Sequence, residues 1–121
     1  MEVQYRSADG RMLFKLNGGN HKDLFEQIAE VQEVFECETR CGCCAGMDRD
    51  GGTYGIRFRV RRVQKYVYYE LHCQNPYCRA RFAFGQNQEG GTLFPKRRDA
   101  EGNYLSNRGW TVYKPDKETA A

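Results

Sequence analysis

Cys41-Gly42-Cys43-Cys44 and Cys73-Gln74-Asn75-Pro76-Tyr77-Cys78 stand at either end of a stretch, 45–72, that contains a β-hairpin pattern. Tetrahedral metal coordination needs four soft or borderline donors converging from two tight turns, and a short cysteine pair at each end of a hairpin supplies them. The spacing predicts a bound zinc ion with Cys41, Cys44, Cys73 and Cys78 as ligands. Cys41 and Cys44 have the two-residue separation that lets successive backbone amides point at the thiolates, and Gly42 and Gly46 suit the turn. Four residues separate Cys73 from Cys78, with Pro76 bending the loop. Cys43 and His72 each adjoin a ligand and are candidates to replace one. Cys37, in the alternating run 34–39, reads as a small core residue.

Six cysteines in 121 residues would also suit a disulfide framework. Against that, Met1–Arg6 is polar and charged with no apolar segment behind it, so a cytoplasmic, reducing location is expected. Clustered thiols in such a compartment hold metal more often than they hold each other. No apolar stretch approaches the roughly 18 residues of a membrane span, so no membrane association is expected. Length and composition fit one domain over 1–113, comprising a hairpin, helix and strand in 1–40, the metal-bound segment in 41–84, and a basic loop with a last strand in 85–113. Residues 114–121 read as a flexible tail.

The hairpin between the cysteine pairs is the most informative segment chemically. In Ile56-Arg57-Phe58-Arg59-Val60-Arg61-Arg62, alternation separates Ile56, Phe58 and Val60 from Arg57, Arg59 and Arg61. The return run splits Val67, Tyr69 and Leu71 from Tyr66, Tyr68 and Glu70. One side is apolar and the other basic and aromatic. Cations that hold phosphates, beside rings that stack on exposed bases, suit single-stranded nucleic acid. Edge strands also use charge against aggregation, so the same pattern describes a solvated sheet face.

Charge is distributed unevenly along the chain. Residues 1–50 hold six Lys/Arg against ten Asp/Glu, and 51–121 hold thirteen against six. From Arg57 to Arg98 the only acidic residues are Glu70 and Glu89. Four thiolates around a dication leave about −2 locally, which Arg40, Arg79 and Arg81 can balance.

Val3–Arg6 and Arg11–Leu16 read as strands joined at Ser7-Ala8-Asp9-Gly10, a tight-turn signal. Asn20 is placed to cap a helix with Asp23 in its first turn. Leu24, Ile28, Val31 and Phe35 recur at helical spacing, widened by Phe25 and Ala29, so that face should pack on the hairpin. Glu26, Glu30 and Glu33 form an acidic face that is solvated or meets a basic protein partner.

Downstream, Arg81–Gly85 continues as a strand. Gly90–Arg98 reads as a flexible loop carrying Phe94 beside Lys96, Arg97 and Arg98, able to close over a strand of nucleic acid or serve as a plain connection. Gly109–Tyr113 reads as a last strand with Trp110 in the core. Catalytic signatures are missing: His21 and His72 fit no metalloprotease motif, the deaminase signature is lacking, and the glycine-rich loop lacks a Gly-Lys-Ser/Thr ending. No enzymatic activity is expected.

Residues 35–84 resemble a four-cysteine zinc ribbon, a fold that binds nucleic acids or proteins. The order Tyr68-Tyr69-Glu70-Leu71-His72-Cys73, Cys78-Arg79-Ala80, Phe84-Gly85-Gln86, Gly91–Arg97 and Gly109-Trp110 resembles small phage-type proteins associated with single-stranded DNA binding and recombination. An α+β fold is therefore expected, with an N-terminal β-hairpin and one helix packed on an antiparallel sheet that contains the ribbon. The expected role is single-stranded DNA binding, with Arg57, Arg59, Arg61, Arg62, Lys65, Lys96, Arg97 and Arg98 on phosphates and Tyr66, Tyr68 and Phe94 on bases. A protein-binding adaptor and a duplex-DNA regulator are the alternatives.

Overall fold

The computed structural model describes residues 1–47 and 53–113. Residues 48–52, and the tail read at 114–121, lie outside the described residues. Contacts divide the chain into two units, Met1–Glu38 and Thr39–Ala121. Among the described residues there are one α-helix, a short 3-10 turn at Ser106–Gly109, a two-stranded antiparallel sheet and a five-stranded antiparallel sheet, which is an α+β fold.

In the first unit β1 (Glu2–Arg6) pairs with β2 (Leu13–Asn17), Val3 opposite Leu16 and Tyr5 opposite Phe14. The connection is a six-residue loop, 7–12, wider than the tight turn its Asp-Gly pair predicts. Asp9 organises it by accepting from Ser7 Oγ at 2.6 Å and from Arg11 N at 3.0 Å, while Gly10 takes the left-handed conformation at φ 76°.

The helix α1 (His21–Phe35) starts where the sequence places it. Asn20 Oδ1 accepts from Asp23 N at 2.9 Å, and Asp23 Oδ2 accepts from Gly19 N at 3.1 Å, so the two side chains hold the helix start and the residue before its cap. Leu24 and Val31 are buried, and Phe35 sits 5.2 Å from Phe14 of the hairpin. Phe25 and Ala29 do not widen the apolar stripe: Phe25 is 76 % exposed and Ala29 is exposed. Each lies one residue past a buried or half-buried position, about 100° round the helix from it. Glu36, just past the helix, closes the unit by accepting from Tyr5 Oη at 2.5 Å and from Ala8 N. Cys37 follows the helix C-cap, with Sγ 3.6 Å from Val34 O, and is not part of an alternating strand.

In the second unit β3 (Ile56–Val63) and β4 (Tyr66–Cys73) pair over eight residues, Ile56 opposite Cys73 and Val63 opposite Tyr66. Gln64 and Lys65 make the two-residue turn, with Gln64 left-handed at φ 55°. The strand β5 (Arg81–Gln86) pairs with β4 along one edge. Along its other edge it pairs with β7 (Trp110–Thr111) at its start and β6 (Leu93–Pro95) at its end. The segment read as a flexible loop at 90–98 therefore contains a strand. Phe94 stands opposite Gly85, where an added Cβ would overlap its ring, so the missing side chain gives the aromatic its seat.

The core of this unit lies under β4, β5 and β7. Phe82 and Ala80 are fully buried, with Leu71, Phe84 and Trp110 nearly so, and the Phe82 ring meets Phe84 at 5.4 Å and Trp110 at 5.8 Å. Trp110 is a core residue, as its sequence context implies. Along β3 the apolar side is only partly covered, leaving Phe58 48 % and Val60 44 % exposed. This strand is an edge, so fewer neighbours reach its side chains.

Candidate metal centre and basic sheet face

The first cysteine pair sits in two successive turns. Cys43 N donates to Cys41 Sγ and Gly46 N to Cys44 Sγ, each at 3.3 Å. The second pair repeats the device, with the Asn75 amide bonded to Cys73 sulfur and the Ala80 amide to Cys78 sulfur. Every sulfur thus receives a backbone N–H from two residues further on, an arrangement that favours the charged thiolate.

Asn75 closes the wider second turn. Its carbonyl accepts from Cys78 N and Arg79 N, its Oδ1 accepts from Tyr77 N at 2.9 Å, and its Nδ2 donates to Met47 O at 3.2 Å, which links the two turns. Left-handed residues finish the bends, Ala45 and Gly46 in one and Arg79 in the other. Gly42 has a different task from the turn-making suggested by the sequence. A Cβ there would come within 2.5 Å of Asn107 O and closer still to Trp110 Cδ1, so Gly42 lets the first turn lie against the core tryptophan.

The four sulfurs lie within 4.8 Å of one another, with Cys41 and Cys78 3.7 Å apart and Cys44 and Cys73 3.6 Å apart. A tetrahedral ion about 2.3 Å from each sulfur requires sulfurs about 3.8 Å apart, so the cluster can hold one metal ion. A disulfide needs about 2.05 Å, and all six cysteines are free thiols. Burial pushes the Cys73 thiol well above its ordinary range and Cys78 to about 11, reinforced in both by the neighbouring thiols. A cation held at the centre would reverse that balance by favouring the thiolates.

Neither alternative ligand joins the set. Cys43 Sγ accepts from Asn107 Nδ2 at 3.6 Å, and His72 Nε2 lies 2.9 Å from Glu70 Oε1.

The register of β3 and β4 settles which side chains share a face. Arg57, Arg59 and Arg61 stand opposite His72, Glu70 and Tyr68, and Tyr66 closes the same side at the turn. Phe94 lies on that side through its pairing with Gly85, two residues beyond Ala83, which is opposite Glu70. Arg62 is opposite Val67 and belongs to the other side.

Lys65 Nζ is 5.6 Å from the Tyr66 ring centre, and the Arg61 guanidinium is 4.6 Å from that of Tyr68. Lys96 is exposed just beyond β6. Arg97 turns to the core side, 5.4 Å over Phe82 with Nη1 donating to Arg108 O at 3.1 Å. Arg98 donates to Tyr104 Oη at 2.5 Å and lies over that ring. Arg97 and Arg98 thus anchor the segment after β6 as well as contributing charge.

Glu70 is the buried pivot of the basic face. Arg61 grips it with Nε at 3.0 Å and Nη2 at 3.2 Å, His72 lies at 2.9 Å and Arg81 Nε at 3.8 Å. Burial alone would raise the Glu70 pKa, but the His72 hydrogen bond and Arg61 outweigh it, holding the carboxyl down at about 2. Among the described residues, no side-chain hydrogen bond or ion pair occupies Arg57 or Arg59. Both border a cleft of about 220 Å³ that Arg61, Arg79, Arg81 and Tyr113 also line.

The sequence reading missed the contribution of Arg79, Arg81 and Tyr113 to this face. Arg81 is opposite both His72 and Thr111, a placement that follows from register and not from local alternation. Among the described residues, no helix is long and apolar enough to cross a membrane. Comparisons with protein-family models, curated proteins and solved structures return no match.

Proposed function

We propose that this chain is a non-catalytic zinc-binding protein that holds single-stranded DNA on the basic and aromatic face of its five-stranded sheet. Zinc suits four thiolates at tetrahedral spacing, and a site filled by four cysteines keeps no open position for water or substrate. In this reading the metal is scaffold: it ties β4 and the turn before β5 to the loop preceding β3, presenting the hairpin rigidly.

The observation that carries the reading is the gathering of Arg57, Arg59, Arg61, Tyr66, Tyr68 and Phe94 on one sheet face, with Arg57 and Arg59 unengaged among the described residues. Arg57, Arg59, Arg61, Lys65 and Lys96 contact phosphates, and Tyr66, Tyr68 and Phe94 stack on bases. Each such stack contributes about 1–3 kcal/mol and tolerates any base, so affinity is largely independent of sequence. Arg62, Arg97 and Arg98 add to the general field.

Fluorescence anisotropy with labelled single- and double-stranded oligonucleotides of one sequence tests this. Tighter single-strand binding is expected. No binding to either at low salt sinks the reading, and tighter, sequence-dependent duplex binding would favour a regulator of duplex DNA.

A second reading, a protein-binding adaptor, draws on the 76 % exposure of Phe25 beside the acidic residues of α1. Changing Arg57 and Arg59 to glutamate separates the two, since it abolishes nucleic-acid retention under the first and leaves a helix-docked partner bound under the second.

A further inference from the structure

The cations of the sheet face are not spread evenly along a groove. The register places Arg57, His72 and Arg81 in one row across β3, β4 and β5, with Arg59 in the next row. Arg79, from the turn after Cys78, completes a cleft of about 220 Å³ lined by Arg57, Arg59, Arg61, Arg79 and Arg81 together with His72, Cys73 and Tyr113. Glu70, buried beneath them, and the thiolates of the adjoining metal centre, whose Cys73 also lines the cleft, offset part of these five charges and leave it net positive.

Phosphodiesters carry one charge each and are spaced along a strand, so cations that only track a backbone need no common cavity. Several guanidinium groups facing one cavity match a single group of higher charge. A phosphate monoester carries about −1.5 to −2 at pH 7 and three strong acceptor oxygens, which guanidinium forks bind two at a time. Tyr113, with the Arg79 guanidinium 4.0 Å over its ring, lines the same cleft and offers an apolar surface to a sugar or base. From His72 the face runs to Tyr68, about 13 Å along β4 at 3.3 Å per residue.

We propose that this cleft seats the phosphorylated end of a nucleic-acid strand, its terminal phosphate monoester between Arg57, Arg79 and Arg81 and the next nucleotides leading towards Tyr68 and Phe94. This rests on the single-strand reading above and adds a preference for ends to it. A free nucleoside monophosphate presents the same chemistry, so the test includes it.

The experiment compares anisotropy titrations of one short labelled single strand bearing a 5′-phosphate, a 3′-phosphate or hydroxyls at both ends. It uses the metal-loaded full chain and the variants Arg57→Gln and Arg79→Asn. Asparagine tolerates the left-handed φ of 56° at position 79, and Arg57 is exposed on a strand, so metal content should stay at the parent level in both. One phosphorylated end should bind at least about tenfold more tightly than the hydroxyl strand, and that ratio should fall to about one in each variant. Unlabelled nucleoside monophosphate should erase the advantage of the phosphorylated strand while leaving the hydroxyl strand bound.

Equal affinity for all three strands overturns this inference and leaves single-strand binding standing. An unchanged ratio in both variants overturns it too. Failure of every strand to bind removes both proposals, even if nucleoside monophosphate alone binds.

Discussion

Glu70→Gln should destabilise the 39–121 unit on the order of 3 kcal/mol at neutral pH and by almost nothing near pH 2. The carboxylate is 3 % exposed, bonded by His72 and Arg61 and approached by Arg81, and these partners hold its pKa at about 2 against an ordinary 4.5. At about 1.4 kcal/mol per pKa unit, that gap corresponds to on the order of 3 kcal/mol of stability linked to ionisation. The folded-state pKa is the lower of the two, so the contribution is complete above about pH 4.5 and is lost as pH falls through about 2. Glutamine preserves shape and removes the negative charge between Arg61 and Arg81, which isolates the electrostatic part. Urea unfolding followed by Trp110 fluorescence, for parent and variant at matched pH from neutral to acid, gives the difference directly. Matching the pH cancels acid loss of metal common to both proteins. A difference under about 0.5 kcal/mol at neutral pH, or one that grows on acidification, would show that the Glu70 charge does not stabilise this unit.

Serine at Cys41, Cys44, Cys73 or Cys78 should each lower bound metal well below one ion per chain and depress the melting temperature, whereas Cys43→Ser should keep the parent metal content; atomic emission on purified protein decides. Gly42→Ala should cost about 1–3 kcal/mol in urea unfolding, because the new methyl collides with Trp110 and the Asn107 carbonyl. Gln64→Gly should raise stability by about 0.5–1 kcal/mol, since relief of the left-handed strain at φ 55° exceeds the entropy glycine adds to the unfolded chain; a thermal melt that moves downward contradicts it.

Much of this architecture is legible in the chain because its signals are local. Asn20 and Asp23 mark the helix start through a cap three residues long, and the two-residue spacing of Cys41 and Cys44 specifies its own turn. Alternation along 56–61 and 66–71 identifies the basic and apolar sides before any pairing is known. What escaped depends on contacts distant in sequence. Leu93–Pro95 becomes a strand because Gly85 leaves room for Phe94, a fit invisible in a glycine-rich segment read by itself. Arg97 looks like one of three equivalent cations, yet it packs over Phe82 and donates to Arg108 O. The depth of Glu70 likewise follows from Arg61, His72 and Arg81 arriving from three strands. Phe25 reads as widening the apolar stripe and is exposed because the face that packs is no wider than the Leu24–Val31 line, about 100° away from it.

The central claim is that a metal-pinned sheet presents its cations to a nucleic-acid strand. The most direct test is the salt dependence of single-strand affinity for the metal-loaded protein, measured for the parent and for Arg57→Glu combined with Arg59→Glu. Four outward cations, Arg57, Arg59, Lys65 and Lys96, with Arg61 already neutralised by Glu70, predict a log–log slope of about −2.8 for the parent at about −0.7 per phosphate, shallower by at least about 1.4 units in the variant. A parent slope near zero, or one unmoved by the double charge reversal, would contradict the account.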